Sequence, residues 1–225
     1  MSTMIAADMI NQMIPPLKVS DSASKAAKWL EEFHVDQLPV LENRQYRGLI
    51  TEADVLDMDQ ADRLLSSIDF GFADVHVQRD QHFYSIIEQA VQNKVQLVPV
   101  LDDQHEYLGV VTVGDTLAAF GQMPIALGQG GILVLSMDER DYSLSQISRY
   151  VEENNAKILS AHVAQDDANA FKIRLTLKVN TPSLTRIAAT LERFGYLITA
   201  QFSGAGELGE NEQERYDALL KYLSL

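Results

Sequence analysis

The sequence predicts a mixed α/β (α+β) protein: two repeated units, each a small sheet with packed helices, followed by a βαββαβ unit of ferredoxin-like topology. Three observations carry this reading. Gly48-Leu49-Ile50-Thr51-Glu52-Ala53-Asp54 returns as Gly109-Val110-Val111-Thr112-Val113-Gly114-Asp115. Leu38-Pro39-Val40-Leu41 precedes the first copy and Val98-Pro99-Val100-Leu101 the second, with the prolines 60 residues apart and the final aspartates 61. Further on, residues 171–179 alternate apolar and polar, the period of an antiparallel strand with one buried face. A repeat of this length sets the architecture before any single side chain is interpreted.

Each repeat opens with an amphipathic helix, carried by Ala23, Ala26, Ala27, Leu30 and Phe33 in the first and by Phe83, Ile86, Ile87, Ala90 and Val91 in the second. A strand follows, then a polar turn (Glu42-Asn43-Arg44; Asp102-Asp103-Gln104-His105), then a second strand ending at the Thr that opens another helix. Met9, Met13 and Met58 read as pliable packing, and Trp29 as a packing residue of the first helix. In the last third, strands begin near Ile132, Lys157, Phe171 and Tyr196, with a helix from about Ser143 to Asn154. Thr181-Pro182 predicts an N-cap and first helical position for a second helix bearing Leu184, Ile187, Ala188, Leu191 and Phe194. Gly195 predicts its stop.

Composition excludes several functions. Eighteen basic against 32 acidic residues give a formal charge of −14, which repels a phosphate backbone and an anionic leaflet alike. Nucleic-acid and membrane partners are not expected. Without cysteine there is no thiol chemistry and no disulfide. The five histidines, His34, His76, His82, His105 and His162, fall in no metal-ligand spacing, and no nucleophile–base set or phosphate-binding glycine loop is present. No apolar run approaches the roughly 20 residues that span a bilayer and no leader opens the sequence. The expectation is a cytoplasmic, non-enzymatic protein requiring no cofactor or metal.

The h-Pro-Val strand, its spacing to Gly-h-h-Thr-x-x-Asp and the duplication together resemble the CBS domain. Two tandem copies, a CBS pair, are expected over residues 1–120, divided at about 1–58 and 59–120. Residues 121–131, with Gly121, Gly128, Gly130 and Gly131, read as a linker. Residues 132–204 follow the split βαβ order and resemble the ACT domain, a module that often senses amino acids. Residues 205–225 read as a helical tail with Tyr216, Leu219, Leu220 and Leu223 on one face. This domain order resembles that of acetoin-utilisation proteins of the AcuB type.

A Thr at a strand end with Asp three residues on reads first as a capping box, which needs no ligand. The same carboxylate can also accept two hydrogen bonds from a vicinal diol such as that of ribose. The CBS resemblance implies that Asp54 and Asp115 bind ribose and that the Thr51 and Thr112 hydroxyls reach ribose or phosphate. Gly48, Leu38 and Pro39 at one site, and Gly109, Val98 and Pro99 at the other, are implied as backbone and apolar lining. CBS sites that hold charged phosphates often place a basic residue two or three positions before the Pro; here those positions are Asp36, Gln37, Gln96 and Leu97. AMP, or an adenosyl compound of low net charge such as S-adenosylmethionine, is therefore expected over ATP. ACT ligand turns usually carry glycine, but Met137 to Ser143 has none, so amino-acid binding there is not expected. The whole reads as a regulatory or sensor protein, a homodimer with an unidentified protein target; the alternative is a ligand-free structural or protein-interaction subunit.

Overall fold

The computed structural model describes residues 4–58, 62–123, 129–166 and 169–203, and the chain divides into two compact units, 1–121 and 122–225. Of the expected linker 121–131, residues 124–128 lie outside the described residues, while Gly121 closes a helix and Gly131 opens a strand; the expected tail at 205–225, with Tyr216, Leu219, Leu220 and Leu223, lies outside them too.

In the first unit one repeat supplies β1 (Leu17–Lys18), α1 (Ala23–Phe33), β2 (Gln37–Glu42), β3 (Gln45–Thr51) and α2 (Glu52–Leu56). The other supplies β4 (Val77–Gln78), α3 (Phe83–Asn93), β5 (Leu97–Leu101), β6 (Tyr107–Thr112) and α4 (Val113–Gly121). Each repeat forms a three-stranded sheet, β1-β2-β3 or β4-β5-β6, parallel in its first pairing and antiparallel in its second. Asn43 and Arg44, both at positive φ, make the tight turn whose twist suits a hairpin. Ser22 caps α1 by accepting from the Lys25 amide, and left-handed His34 and Lys94 end α1 and α3.

Helix burial is narrower than the sequence pattern suggested. Ala23, Ala26 and Leu30 are buried in α1, as are Phe83, Ile86 and Ala90 in α3. Ala27, Ile87 and Val91 face outward, Val91 at 71% exposure, because a three-stranded sheet covers only one stripe of each helix. The methionine grouping also separates. Met58 is buried, whereas Met13 is 80% exposed, on a tight turn in which its amide donates to Asn11 Oδ1.

The two repeats complete each other. The segment before β1 lies on the second repeat: Ala6 N donates to Gln81 O at 2.8 Å, Ala7 N to Arg79 O at 3.0 Å and Asn11 N to Val110 O at 2.7 Å. Residues 63–71, the corresponding lead into β4, lie on the first: Leu65 N donates to Asp21 O at 2.9 Å, Ser66 N to Val19 O at 2.8 Å and Leu49 N to Gly71 O at 2.9 Å. Fully buried Ala6 and Leu65 anchor the two leads. The crossings need Gly48 and Gly109, each at positive φ. A Cβ on Gly48 would lie 2.4 Å from Gly71 O, and one on Gly109 would lie 2.3 Å from Ile10 Cγ2.

The second unit runs β7 (Gly131–Asp138), α5 (Leu144–Glu153), β8 (Ile158–Gln165), β9 (Lys172–Val179), α6 (Thr185–Arg193) and β10 (Leu197–Phe202). Its antiparallel sheet has the order β10-β7-β9-β8, the βαββαβ arrangement expected. Ile173, Leu175, Leu177 and Val179 of β9 are buried with Leu133 and Leu135 of β7 under Ile147, Val151, Ile187 and Leu191. Three apolar residues of the pattern lie outside this core: Phe171 is 81% exposed, and Leu144 and Phe194 are also exposed. The predicted cap at Thr181-Pro182 is corrected. α6 starts at Thr185 behind Leu184 with no side-chain cap, because the Thr181 carbonyl accepts from Gly131 N at 2.8 Å and buried Leu184 fills the space beside Gly131. Gly195, at φ +89°, ends the helix as expected.

Two outcomes test this architecture. Gly48→Ala should lower stability to urea by about 1–3 kcal/mol through overpacking, whereas Gly121→Ala, with nothing within 4 Å of the added Cβ, should leave it unchanged or raised. A fragment ending at Gln122 should unfold cooperatively by circular dichroism, since the exchanged leads lie within it.

Candidate functional site

The conserved geometry of the two repeats begins where each second strand meets its helix. Gln37 pairs with Thr51 and Leu38 with Ile50 in the first sheet; Leu97 pairs with Thr112 and Val98 with Val111 in the second. Both Thr-x-x-Asp turns close as capping boxes. Asp54 N donates to Thr51 Oγ1 at 3.1 Å, while Asp54 Oδ2 accepts from Thr51 N at 2.8 Å and Thr51 Oγ1 at 2.7 Å. At the second site Asp115 N donates to Thr112 Oγ1 at 2.9 Å, and Asp115 Oδ2 accepts from Thr112 N at 3.0 Å and Thr112 Oγ1 at 2.6 Å. One oxygen of each carboxylate is thus held by its own turn. At Asp54 the other oxygen takes no hydrogen bond among the described residues and is an acceptor of fixed direction, suited to hydroxyl donors.

The two turns are tied to each other through the residues before the prolines. Glu52 N donates to Asp36 O at 3.3 Å and Val113 N to Gln96 O at 2.9 Å. Gln96 N donates to Gln37 Oε1 at 3.1 Å, and the Gln96 side-chain amide donates to the Asp36 carboxylate. Asp36, Gln37 and Gln96, three of the four pre-proline positions, therefore join one repeat to the other. Arg44 and Arg47 are also engaged, Arg44 with Glu106 at 3.1 Å and Arg47 with Glu42, both at the hairpin-turn ends of the strands. There burial raises the Tyr46 and Tyr107 phenols well above their usual range, and burial followed by the neighbouring His105 lowers His76. These groups stay neutral near pH 7.

The lining residues are distributed differently. Leu38 and Val98 are fully buried, and Pro39 and Pro99 are buried beside them, so they shape the sheet under the turns. Gly48 and Gly109 are covered by the exchanged leads. Sequence reasoning missed the leads themselves, and above all Asn11. Its Nδ2 lies 3.1 Å from Asp115 Oδ2 and 3.4 Å from Oδ1. Asn11 and Gly71 occupy the same place, each bridging the residue after the crossing glycine, and nothing local in the sequence marks either position.

Among the described residues no group of three His, Asp or Glu could hold a metal ion, and no helix is long and apolar enough to cross a membrane. In the second unit a cavity of about 590 Å³ is lined by residues that include Asp138, Arg140, Tyr142, Ser143, Lys172 and Gly195, at the turn where the sequence lacked glycine.

Thr51→Ala and Thr112→Ala should each cost about 1 kcal/mol of stability through loss of the cap, read by urea denaturation, and Thr→Ser at either position should restore most of it.

The CBS domain family model matches residues 6–60 and 73–121. Among solved structures, the chain is similar to a CBS domain pair/ACT domain protein from Thermotoga maritima, at 19% identity over 52% of this chain and 96% of that one, with a TM-score of 0.49. It is similar to CBSX2, solved in complex with AMP, at 20% identity over 52% and 96% of the respective chains, with a TM-score of 0.46. A third is a CBS domain pair solved with 5′-methylthioadenosine and S-adenosyl-L-methionine, at 22% identity over 52% and 95%, with a TM-score of 0.43. The first unit of this protein carries tandem CBS domains, residues 6–60 and 73–121.

Proposed function

We propose that the tandem CBS domains form a regulatory sensor for an adenosyl ligand of low net charge, AMP or a compound like it, and that the 132–204 region, read as ACT-like, is the part that meets a target or a second subunit. The observation that carries this reading is the Asp54 carboxylate. Its Oδ2 is fixed by the Thr51 amide and hydroxyl, while among the described residues Oδ1 takes no hydrogen bond. A vicinal diol supplies donors for that oxygen without breaking the cap. The preference for a small charge follows from the pre-proline residues Asp36, Gln37 and Gln96, which bond one another in place of a cation that would compensate phosphate. Ligand binding would act by favouring one arrangement of the CBS domains over others, in a cytoplasmic homodimer whose domain order is that of the AcuB type.

A second reading is a ligand-free interaction subunit. Both capping boxes are complete without ligand, and α3 and α4 expose Tyr84, Ile87, Val91, Leu117 and Phe120, apolar side chains of the kind an interaction surface uses.

Thermal unfolding of the full chain separates the two. AMP at 100 times its Kd should stabilise the protein by about 2.7 kcal/mol, more than ATP at the same concentration, and 2′-deoxy-AMP should bind more weakly. Asp54→Ala should abolish the AMP shift, since it removes charge-assisted bonds of about 1.5–3 kcal/mol each. A flat response to adenosine, AMP and S-adenosylmethionine at millimolar concentration favours the interaction subunit.

A further inference from the structure

The two repeats match in strand register, cap geometry and crossing glycine, yet the residue that bridges the strand beyond that glycine differs. Where the lead into β1 crosses β6, the crossing residue is Asn11; where the lead into β4 crosses β3, it is Gly71. Asn11 Nδ2 donates to Asp115 at 3.1 Å and 3.4 Å from its two oxygens. Gly71 has nothing to offer Asp54. The amide is held in place from both sides, because the Asn11 backbone N donates to Val110 O at 2.7 Å and its Oδ1 accepts from Met13 N at 2.9 Å. Ile10, the preceding residue, lies over Gly109 with its Cγ2 where a Cβ would stand.

Building on the adenosyl reading of the two carboxylates, we propose that Asn11 decides which of the two sites takes ligand: its amide stands where a ribose hydroxyl would bond Asp115, so the second site is closed from within and the chain binds one equivalent through Asp54. Nδ2 faces both oxygens of the carboxylate, 3.1 Å from the capped Oδ2 and 3.4 Å from Oδ1, so the amide N–H and a sugar O–H are alternative donors to one carboxylate edge, and an intramolecular donor already in place competes without the entropic cost of association. A ligand at Asp115 must first break the contact made by a lead that is also bonded to Val110. At Asp54 the corresponding position is a glycine, and the oxygen stays open.

The symmetry of the repeats supplies the test. Isothermal titration of the full chain with AMP should give one equivalent for wild type and two for Asn11→Gly, which installs the glycine of the first site; Asn11→Gly combined with Asp115→Ala should return to one. Gly71→Asn should do the opposite and weaken AMP binding at least tenfold. A Cβ at Gly71 meets nothing within 4 Å, so this variant should keep the wild-type circular dichroism spectrum and Tm. Asn11→Ala provides a second route to the opened site should the glycine loosen the lead. Two equivalents bound by wild type, or one equivalent in wild type and both Asn11 variants alike with Gly71→Asn unaffected, would overturn the role of Asn11 while leaving the adenosyl reading intact. Silence of wild type, Asn11→Gly and Asn11→Ala toward AMP, adenosine and S-adenosylmethionine would overturn the adenosyl reading, and this inference with it.

Discussion

Each CBS repeat is finished by the chain that leads into the other, and most of the first unit follows from that exchange. The leads are bonded backbone to backbone at four points on each side and anchored by fully buried Ala6 and Leu65. Such a crossing is possible only where a strand offers bare backbone at close range. Gly48 and Gly109 provide it, at positive φ and under atoms less than 3 Å from where a Cβ would be. The glycines of the repeated motif are therefore accounted for by chain–chain contact, independently of any ligand. The same crossing delivers residue 11 or 71 to the rim of a Thr-x-x-Asp turn, and so the exchange that stabilises the pair also sets the difference between its two sites.

Capping and the proposed ligand binding are compatible uses of one side chain here. The cap occupies Oδ2 of each aspartate through two donors from Thr51 or Thr112. This orients the carboxylate plane and sets the direction in which Oδ1 points. A preorganised acceptor loses less entropy on binding than a mobile one. On the proposed adenosyl reading, the local structural role is the means by which the carboxylate would become a directional recognition element.

Much of this was legible in the sequence because it is local and periodic. The twin motif placed β2, β3, β5 and β6, and the alternation in 171–179 placed the buried face of β9 through Ile173, Leu175, Leu177 and Val179. What was not legible depends on contacts distant in sequence. Asn11 meets Asp115 across 104 positions, and no periodicity announces such a pairing. Thr181-Pro182 has the composition of a helix start, yet the Thr181 carbonyl is taken by Gly131 fifty residues earlier, a tertiary bond that moves the helix start to Thr185. Ile87 and Val91 sit at helical spacing and still face outward, because spacing identifies a stripe without stating how wide the surface beneath it is.

The exchanged leads also bear on how such a pair can arise. A solitary repeat of this kind has a crossing glycine with nothing lying over it and a lead with nowhere of its own to lie; the nearest complementary partner is another molecule's repeat, giving a symmetric two-chain assembly with swapped segments. Fusing two copies in one chain converts that bimolecular encounter into an intramolecular one at high effective concentration. Once fused, the two leads are encoded separately and can diverge. A substitution in one lead, such as asparagine against glycine at positions 11 and 71, then breaks the symmetry of the side chains facing the two Thr-x-x-Asp turns while leaving the symmetry of the backbone intact.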